Sequence, residues 1–166
     1  MKDIKEEFLD ILDRNIGIVI KISRAYTKVE QDREDLINDI TFQLWKSFSN
    51  FKSNSKVSTW IYRVAINTAM NYYRNKKNQL QLSSLNEFKT ADLDRWVPQH
   101  NHSSDLELLY ESIDELNEIN KAIILLYLDG NSHDEISEVM GISKTNVGTR
   151  IGRIKEQIKN IATSKK

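Results

Sequence analysis

VSTWIYRVAINTAMNYYRNKKN, residues 57–78, decides how this chain is read. Placed on a helix, the stretch has two faces. Ile61, Val64, Ala65, Thr68 and Tyr72 fall at helical spacing and are expected to bury. Arg63, Asn67, Asn71 and Arg74 also recur every three or four residues and form a polar stripe of cations and amides. Tyr62 and Tyr73 flank that stripe, Trp60 stands at the opening of the helix, and Arg74, Lys76 and Lys77 close it. Cations, planar amides and aromatic rings on one helix are what a protein needs to grip a phosphate backbone and to hold unstacked bases. A second reading fits the same residues: an amphipathic helix with a solvated face and a basic last turn that complements its dipole. This stretch alone does not separate the two.

Composition narrows the setting. The 166 residues suffice for one ordinary domain or two small ones. With 39% hydrophobic and 29% charged residues, the chain is expected to be globular and not disordered. One proline and five glycines leave few breaks, which predicts an all-α protein. The absence of cysteine excludes disulfide scaffolds, thiol nucleophiles and thiolate zinc sites. No apolar run approaches the roughly 18–20 residues of a membrane span. The opening MKDIKEEFLD lacks the basic-then-apolar shape of a signal peptide, so a cytoplasmic location without membrane insertion is expected. Net charge is zero, but it is unevenly spread. Residues 105–120 hold six acids and no Lys or Arg, whereas residues 143–166 hold seven bases against the single acid Glu156. Such polarity can present a basic surface to DNA and an acidic one to a protein.

Upstream of the opening stretch, FKSNSK (51–56) is a short polar loop carrying Lys52 and Lys56, and Ser58 is a candidate cap for the helix that follows. A helix is predicted over about residues 33–48, with Asp32 as its N-cap and Leu36, Ile37, Ile40, Leu44 and Phe48 as its apolar stripe. Asp35, Asn38, Asp39, Phe42, Gln43, Trp45 and Lys46 lie partly or wholly off that stripe. A Phe–Trp pair exposed beside acids would make a protein-contact surface; the competing reading packs both rings into a small core. Residues 3–28 read as two helices, or as one bent near residues 15–17. Together, residues 1–78 form one predicted helical bundle.

Downstream, residues 79–104 change character. They are rich in Asn, Gln, Ser and Asp, have no sustained period and contain the chain's proline. They read as a flexible linker with at most a turn of structure near 85–88 or 93–96, able to span about 90 Å fully extended. Phe88 and Trp96 suggest that parts of it dock on something. Residues 105–166 then form a second helical domain. Ser104 to Glu107 make a capping box. Leu106, Leu109, Tyr110, Ile113 and Leu116 follow as an apolar face, and a further helix over 117–128 is stopped by Asp129 and Gly130. Ser132 to Glu135 make a second capping box. It opens a short helix ending at Gly141. Ser143 caps a longer helix with Val147, Ile151, Ile154, Ile158 and Ile161 on one face.

A short helix, a tight glycine-containing turn and a basic helix describe a helix-turn-helix; an ordinary helical hairpin is the competing reading. Its second helix would enter the major groove with its N-terminal half. The candidates are Ser143, Lys144, Thr145, Thr149, Arg150 and Arg153: arginine can read guanine, while lysines and hydroxyls mostly position on phosphates. Gly148 and Gly152 stand out, since each costs roughly 1 kcal/mol in a helix interior. Enzymatic signals are poor. His100 and His102 lie in the linker near Asp92 and Asp94 without a third ligand at metal-binding spacing, and His133 lies inside a capping box. No phosphate loop, nucleophile motif or HExxH is present. No catalytic residue, metal, cofactor or small-molecule substrate is therefore expected.

The two halves in this order resemble an RNA polymerase sigma factor of the sigma-70 family, of the compact extracytoplasmic-function type. The first half resembles the sigma-2 domain through DREDLINDITFQLW and VSTWIYRVAINTAMNYYRNKK, and the second the sigma-4 domain through LNEINKAIILLYLDGNSHDEISEVMGISKTNVGTRIGRIKEQI. The resemblance implies a non-enzymatic factor that binds the core of bacterial RNA polymerase, directs it to promoter DNA and assists melting. It assigns polymerase binding to Asp35, Asn38, Asp39, Phe42 and Trp45. The −10 element falls to Lys52, Lys56, Trp60, Arg63, Asn67, Asn71, Arg74, Lys76 and Lys77, and the −35 element to Ser143, Lys144, Thr145, Thr149, Arg150 and Arg153. Asn67 and Asn71 match positions that approach an extruded base, and residues 52–56 match the loop that closes over it. The chain departs from the family pattern at Thr41, and at Gly148 and Gly152, where the family often has a basic and a larger residue. About 25 base pairs between the elements is roughly 85 Å of B-form duplex, a span that two domains and the linker can cover. An anti-sigma protein, frequently a membrane protein, is a further partner that the resemblance implies. Two other functions compete: a helix-turn-helix regulator that binds duplex DNA without a sigma role, and a metal-dependent hydrolase built on His100 and His102.

Overall fold

The computed structural model describes residues 2–51, 53–83 and 104–165. Among these there are seven helices and no strand, and the chain divides into an N-terminal and a C-terminal compact unit. The linker positions Phe88, Trp96, His100 and His102, and the turns expected near 85–88 and 93–96, lie outside the described residues.

In the first unit, α1 (Ile4–Tyr26) is one continuous helix. Of the two expected arrangements, the single helix is found, and no break separates two helices near residues 15–17. Asn15 folds its side-chain amide back onto the carbonyl of Ile11, and Gly17 stays within the helix. Phe8, Val19, Ile22 and Tyr26 bury on its inner side. Helix α2 (Glu30–Phe48) starts three residues before the expected position, so Asp32 lies in its first turn and does not cap it. Leu36, Ile40 and Leu44 are essentially inaccessible. Helix α3 (Val57–Ser83) starts one residue ahead of Ser58, which therefore cannot be its N-cap, and runs five residues past the boundary expected at 78. Nothing in residues 79–83 breaks a helix: Gln, Leu and Ser all propagate an established one.

Helix α3 packs against both α1 and α2. The buried arc is displaced from the predicted stripe: Thr59, Trp60, Ile61, Tyr62, Ala65, Ile66 and Ala69 are buried, whereas Val64, Thr68 and Tyr72 are only partly covered. A helix flanked by two others covers more than one narrow face. The small Ala65 and Ala69 let the neighbouring helices approach, while Ile61 and Ile66 fill the space between them.

The second unit is built on α5 (Glu118–Leu128), whose residues 121–126 are all buried. Around it pack α4 (Ser104–Asp114), α6 (His133–Met140) and α7 (Lys144–Ser164). Ser104 is already the first residue of α4, so it does not cap that helix as the expected capping box required; the boundaries of the other helices follow local signals. The Asn117 side chain caps α5 by accepting from the Asn120 amide. Gly130 (φ 86°) and Gly141 (φ 68°) take the left-handed conformation that ends α5 and α6. Ser132 and Glu135 exchange both hydrogen bonds of a capping box, at 3.1 and 3.2 Å. Ser143 caps α7 by accepting from the Asn146 amide at 3.1 Å. Val147, Ile151 and Ile154 then bury. Among the described residues no helix is long and apolar enough to cross a membrane.

Ile66 is 1% exposed, so Ile66→Ala should lower stability by about 2–5 kcal/mol, whereas Ser132→Ala should cost only about 1 kcal/mol through loss of the cap. Urea unfolding of the full chain checks both.

Candidate nucleic-acid interface

Burial of one side of α3 turns its other side outward. Arg63, Asn67, Asn71 and Arg74 are all exposed, and at helical spacing they form one line along the helix. Lys56, just before the helix, and Lys77, near its far end, are exposed as well. Lys52 lies outside the described residues. Two of the expected contacts are placed differently. Trp60 is only 7% exposed: its indole stacks on Phe51 (centroids 4.7 Å apart) and packs near Phe48 (6.1 Å). It is therefore part of the core, as the size of its apolar surface favours. Lys76 reaches back to α2, where its ammonium lies 3.1 Å from the Asp32 carboxylate.

Asp32 also hydrogen-bonds Tyr72. Burial, followed by the charge and hydrogen bond of Asp32 and the charges of Asp35 and Asp39, pushes the Tyr72 phenol up to about 12. The acidic edge of α2 thus runs beside the C-terminal half of α3. Tyr26 of α1 meets Tyr73 edge-on at 6.3 Å and steadies the same region from the other side.

At the opposite end of α3 lies an open recess of about 250 Å³. Its lining includes Asn50, Phe51, Asn54, Trp60 and Arg63. The recess combines a stacked aromatic floor with amide and guanidinium groups at its edge, the chemistry suited to an unpaired base. Ser53 in the adjoining loop has φ 57°, an unusual conformation for a residue other than glycine, which tightens the turn. Sequence reasoning placed lysines in this loop but missed Asn50 and Asn54. The available signal was two amides flanking Phe51 just upstream of an aromatic-led helix. Asn67 and Asn71 do not line the recess; they continue the outward line beyond it.

The outer face of α2 gathers the predicted protein-contact residues. Asp35, Asn38, Asp39, Phe42 and Trp45 are all exposed, with Phe42 at 57% and Trp45 at 43%. Trp45 is anchored on one side by an edge contact with Phe8 at 5.1 Å. Phe42 has the Lys46 ammonium 5.5 Å from its ring centre.

In the second unit, Ser143, Lys144, Thr145, Thr149 and Arg153 are exposed at the N-terminal half of α7, and Arg150 is half-buried. Arg150 is oriented by donating to the Asn146 side chain at 3.2 Å. Lys144 pairs with Asp134 of α6 at 3.3 Å. The arrangement is a helix-turn-helix: α6, a turn at Gly141, and α7 with hydroxyl and cationic groups on its free face. Among the described residues no cluster of His, Asp or Glu could hold a metal ion.

Two helical units, one with a polar α3 face beside an aromatic recess and one with a helix-turn-helix, define a two-domain nucleic-acid-binding protein. Comparison with known proteins gives its family. The sequence profile of Sigma-70 region 2 matches residues 11–79, and that of Sigma-70, region 4, matches residues 106–158. The chain is 32% identical over 141 residues to the ECF RNA polymerase sigma-E factor of Haemophilus influenzae, covering 78% of this chain and 74% of that protein. It is 27% identical over 139 residues to the factor of the same name from Escherichia coli, covering 78% and 73%. Its fold resembles the sigma factor RpoE solved in complex with the anti-sigma factor NepR from Bartonella quintana (TM-score 0.71, 20% identity, 98% of each chain). It also resembles CnrH, solved in complex with the cytosolic domain of CnrY (TM-score 0.69, 18% identity, covering 98% of this chain and 91% of that one). The chain belongs to the sigma-70 family of RNA polymerase sigma factors, in its extracytoplasmic-function branch: it is a transcription initiation factor that directs polymerase to promoters.

Because the Tyr72 phenol is raised above its ordinary value near 10, its neutral form stabilises the fold fully below pH 10, and that contribution is lost as pH rises through about 12. Spectrophotometric titration should show a phenol ionising near pH 12, and Tyr72→Phe should remove that phase.

Proposed function

We propose that the chain acts on promoters through three surfaces. The exposed face of α2, with Asp35, Asn38, Asp39, Phe42 and Trp45, docks on core polymerase. Its two half-exposed rings supply the apolar anchors of an interface, and the acids supply register and attraction to a basic partner surface. The outward line on α3, with Arg63, Asn67, Asn71 and Arg74, follows the −10 strand, aided by Lys56 and Lys77. Lys52 belongs to the same proposed set through its place in the loop. An extruded base enters the recess between Asn50, Asn54 and Arg63, where Trp60 acts from beneath as part of the floor. Holding that base traps the melted state, because re-pairing must then forfeit its contacts. Lys76 serves mainly to fix the end of α3 to α2. The −35 duplex is met by Ser143, Lys144, Thr145, Thr149, Arg150 and Arg153, with the hydroxyls and Lys144 on phosphates and the arginines at base edges.

The observation that carries this reading is the shared outward exposure of Arg63, Asn67, Asn71 and Arg74 on a helix whose other side is core. A regulator that binds only duplex DNA would use α7 and leave this line, the recess and the exposed α2 face without work. The reading assigns the chain no catalysis of its own and places it in the cytoplasm with the polymerase. It also includes an anti-sigma partner, by analogy with the complex of RpoE and the anti-sigma factor NepR, that would cover the apolar parts of the docking surfaces.

Two variants separate the surfaces. Asn67→Ala should reduce open-complex formation about tenfold, close to the ~1.4 kcal/mol of one lost hydrogen bond at a desolvated site, with core binding unchanged. Phe42→Ala should weaken core binding by at least about fivefold, more than ~1 kcal/mol, without altering binding of single-stranded −10 DNA. Run-off transcription with purified core polymerase, paired with a direct binding measurement, checks both; equal loss of melting and core binding in Asn67→Ala would reject the assignment.

A further inference from the structure

We infer that His133 is a DNA-contacting residue of the helix-turn-helix, seated over Gly148 in place of a side chain that α7 itself lacks there. The inference rests on the proposal that α7 meets the −35 duplex, and it adds a contact from α6 to that surface.

Gly148 is interior to α7, where glycine costs roughly 1 kcal/mol relative to alanine. Neither of the usual reasons for a glycine applies. Its φ is not in the left-handed region, and a Cβ would make only ordinary contacts, 3.7 Å from both Cε1 and Nδ1 of His133. Apart from α7's own adjoining residues, those two atoms are the nearest that such a Cβ would meet, so the imidazole borders the space a side chain at 148 would enter. An alanine would touch the ring. A longer side chain would have to displace it.

Position 148 lies on the working face of α7, three residues after Thr145 and next to Thr149, both exposed. A ring over Gly148 is therefore added to the surface that approaches the groove. In helix-turn-helix docking the first helix crosses the backbone while the second enters the groove. His133 is the first residue of α6, the end that the Lys144–Asp134 pair holds beside the start of α7. The neighbouring charges are already engaged: Asp134 with Lys144, Glu135 in the capping box with Ser132, and Arg150 with Asn146. Neither ring nitrogen of His133 has a hydrogen-bond partner among the described residues. An imidazole N–H directed at a phosphate oxygen completes this site, and the missing side chain at 148 is what gives the ring room.

A double-mutant cycle tests the pairing, using full chain bound to core polymerase and a duplex that this holoenzyme enriches from a random pool. His133→Ala should weaken duplex binding about three- to tenfold, alike across sequence variants of the −35 site, with the melting temperature unchanged. His133→Gln, which keeps a donor, should retain part of the affinity. Gly148→Lys in the His133→Ala background should recover affinity to within about twofold of wild type, because the lysine then occupies the vacated seat; in the wild-type background it should gain little. Wild-type affinity in His133→Ala, or strictly independent effects of the two substitutions, overturns the inference. So does a loss of affinity in His133→Ala that follows a lowered melting temperature. Arg153→Ala run alongside separates the two levels: if it weakens duplex binding while His133→Ala does not, only the histidine inference fails. If neither does, the assignment of α7 to the duplex fails.

Discussion

The first unit depends on the burial of α3 between α1 and α2. A helix has a fixed angular period, so the side that enters the core determines which residues face outward. Thr59, Ile61, Ala65, Ile66 and Ala69 go in, and Arg63, Asn67, Asn71 and Arg74 have no option but to face solvent along one line. A chain of rings reinforces the orientation. Trp45 meets Phe8, Phe8 meets Phe48 at 5.4 Å, and Phe48 meets Trp60, which stacks on Phe51. This chain extends from the exposed face of α2 to the recess at the start of α3, so both proposed contact surfaces of the unit share one rigid aromatic support.

The polar part of the same unit divides its charges by task. Asp35 and Asp39 remain exposed on α2, whereas Asp32 turns toward α3 and is used internally with Tyr72 and Lys76. Past Ala69 the helix has little apolar surface left to bury. The Asp32 contacts and the Tyr26–Tyr73 edge contact are what tie that segment down. One lysine is thereby committed to structure, while Arg74 and Lys77 stay at the surface.

The second unit follows a different logic. Its helices are short, and short helices owe much of their definition to their ends. Caps by Asn117, Ser132 and Ser143 and the left-handed glycines 130 and 141 fix where each helix starts and stops. The buried α5 then gives the other three a common surface to pack on. Just past the end of α7, Lys165 reaches Glu111 of α4 at 3.7 Å and Glu115, immediately after that helix, at 2.7 Å. Part of the basic charge counted in the C-terminal sequence is thus spent on the acidic helix and not offered to a partner. The uneven charge distribution of the sequence is in this respect an internal feature of the fold.

The sequence by itself determined the helical class, the order of the two units, the helix-turn-helix boundaries and the polar line on α3. Each is written in short-range signals: helical period, capping residues and left-handed glycines act within one or two turns. It also carried the family, because two ordered motifs are specific together. Tertiary structure alone decided which members of the proposed contact set are available. Trp60 reads as a gripping ring until Phe48 and Phe51, 12 and nine residues upstream, bury it. Lys76 reads as a phosphate contact until Asp32, from another helix, claims it. The recess with Asn50 and Asn54, and the seat of His133 on Gly148, exist only where separate elements meet. Periodicity assigns a residue to a face of its own helix, but what stands opposite that face is set by packing between segments distant in sequence.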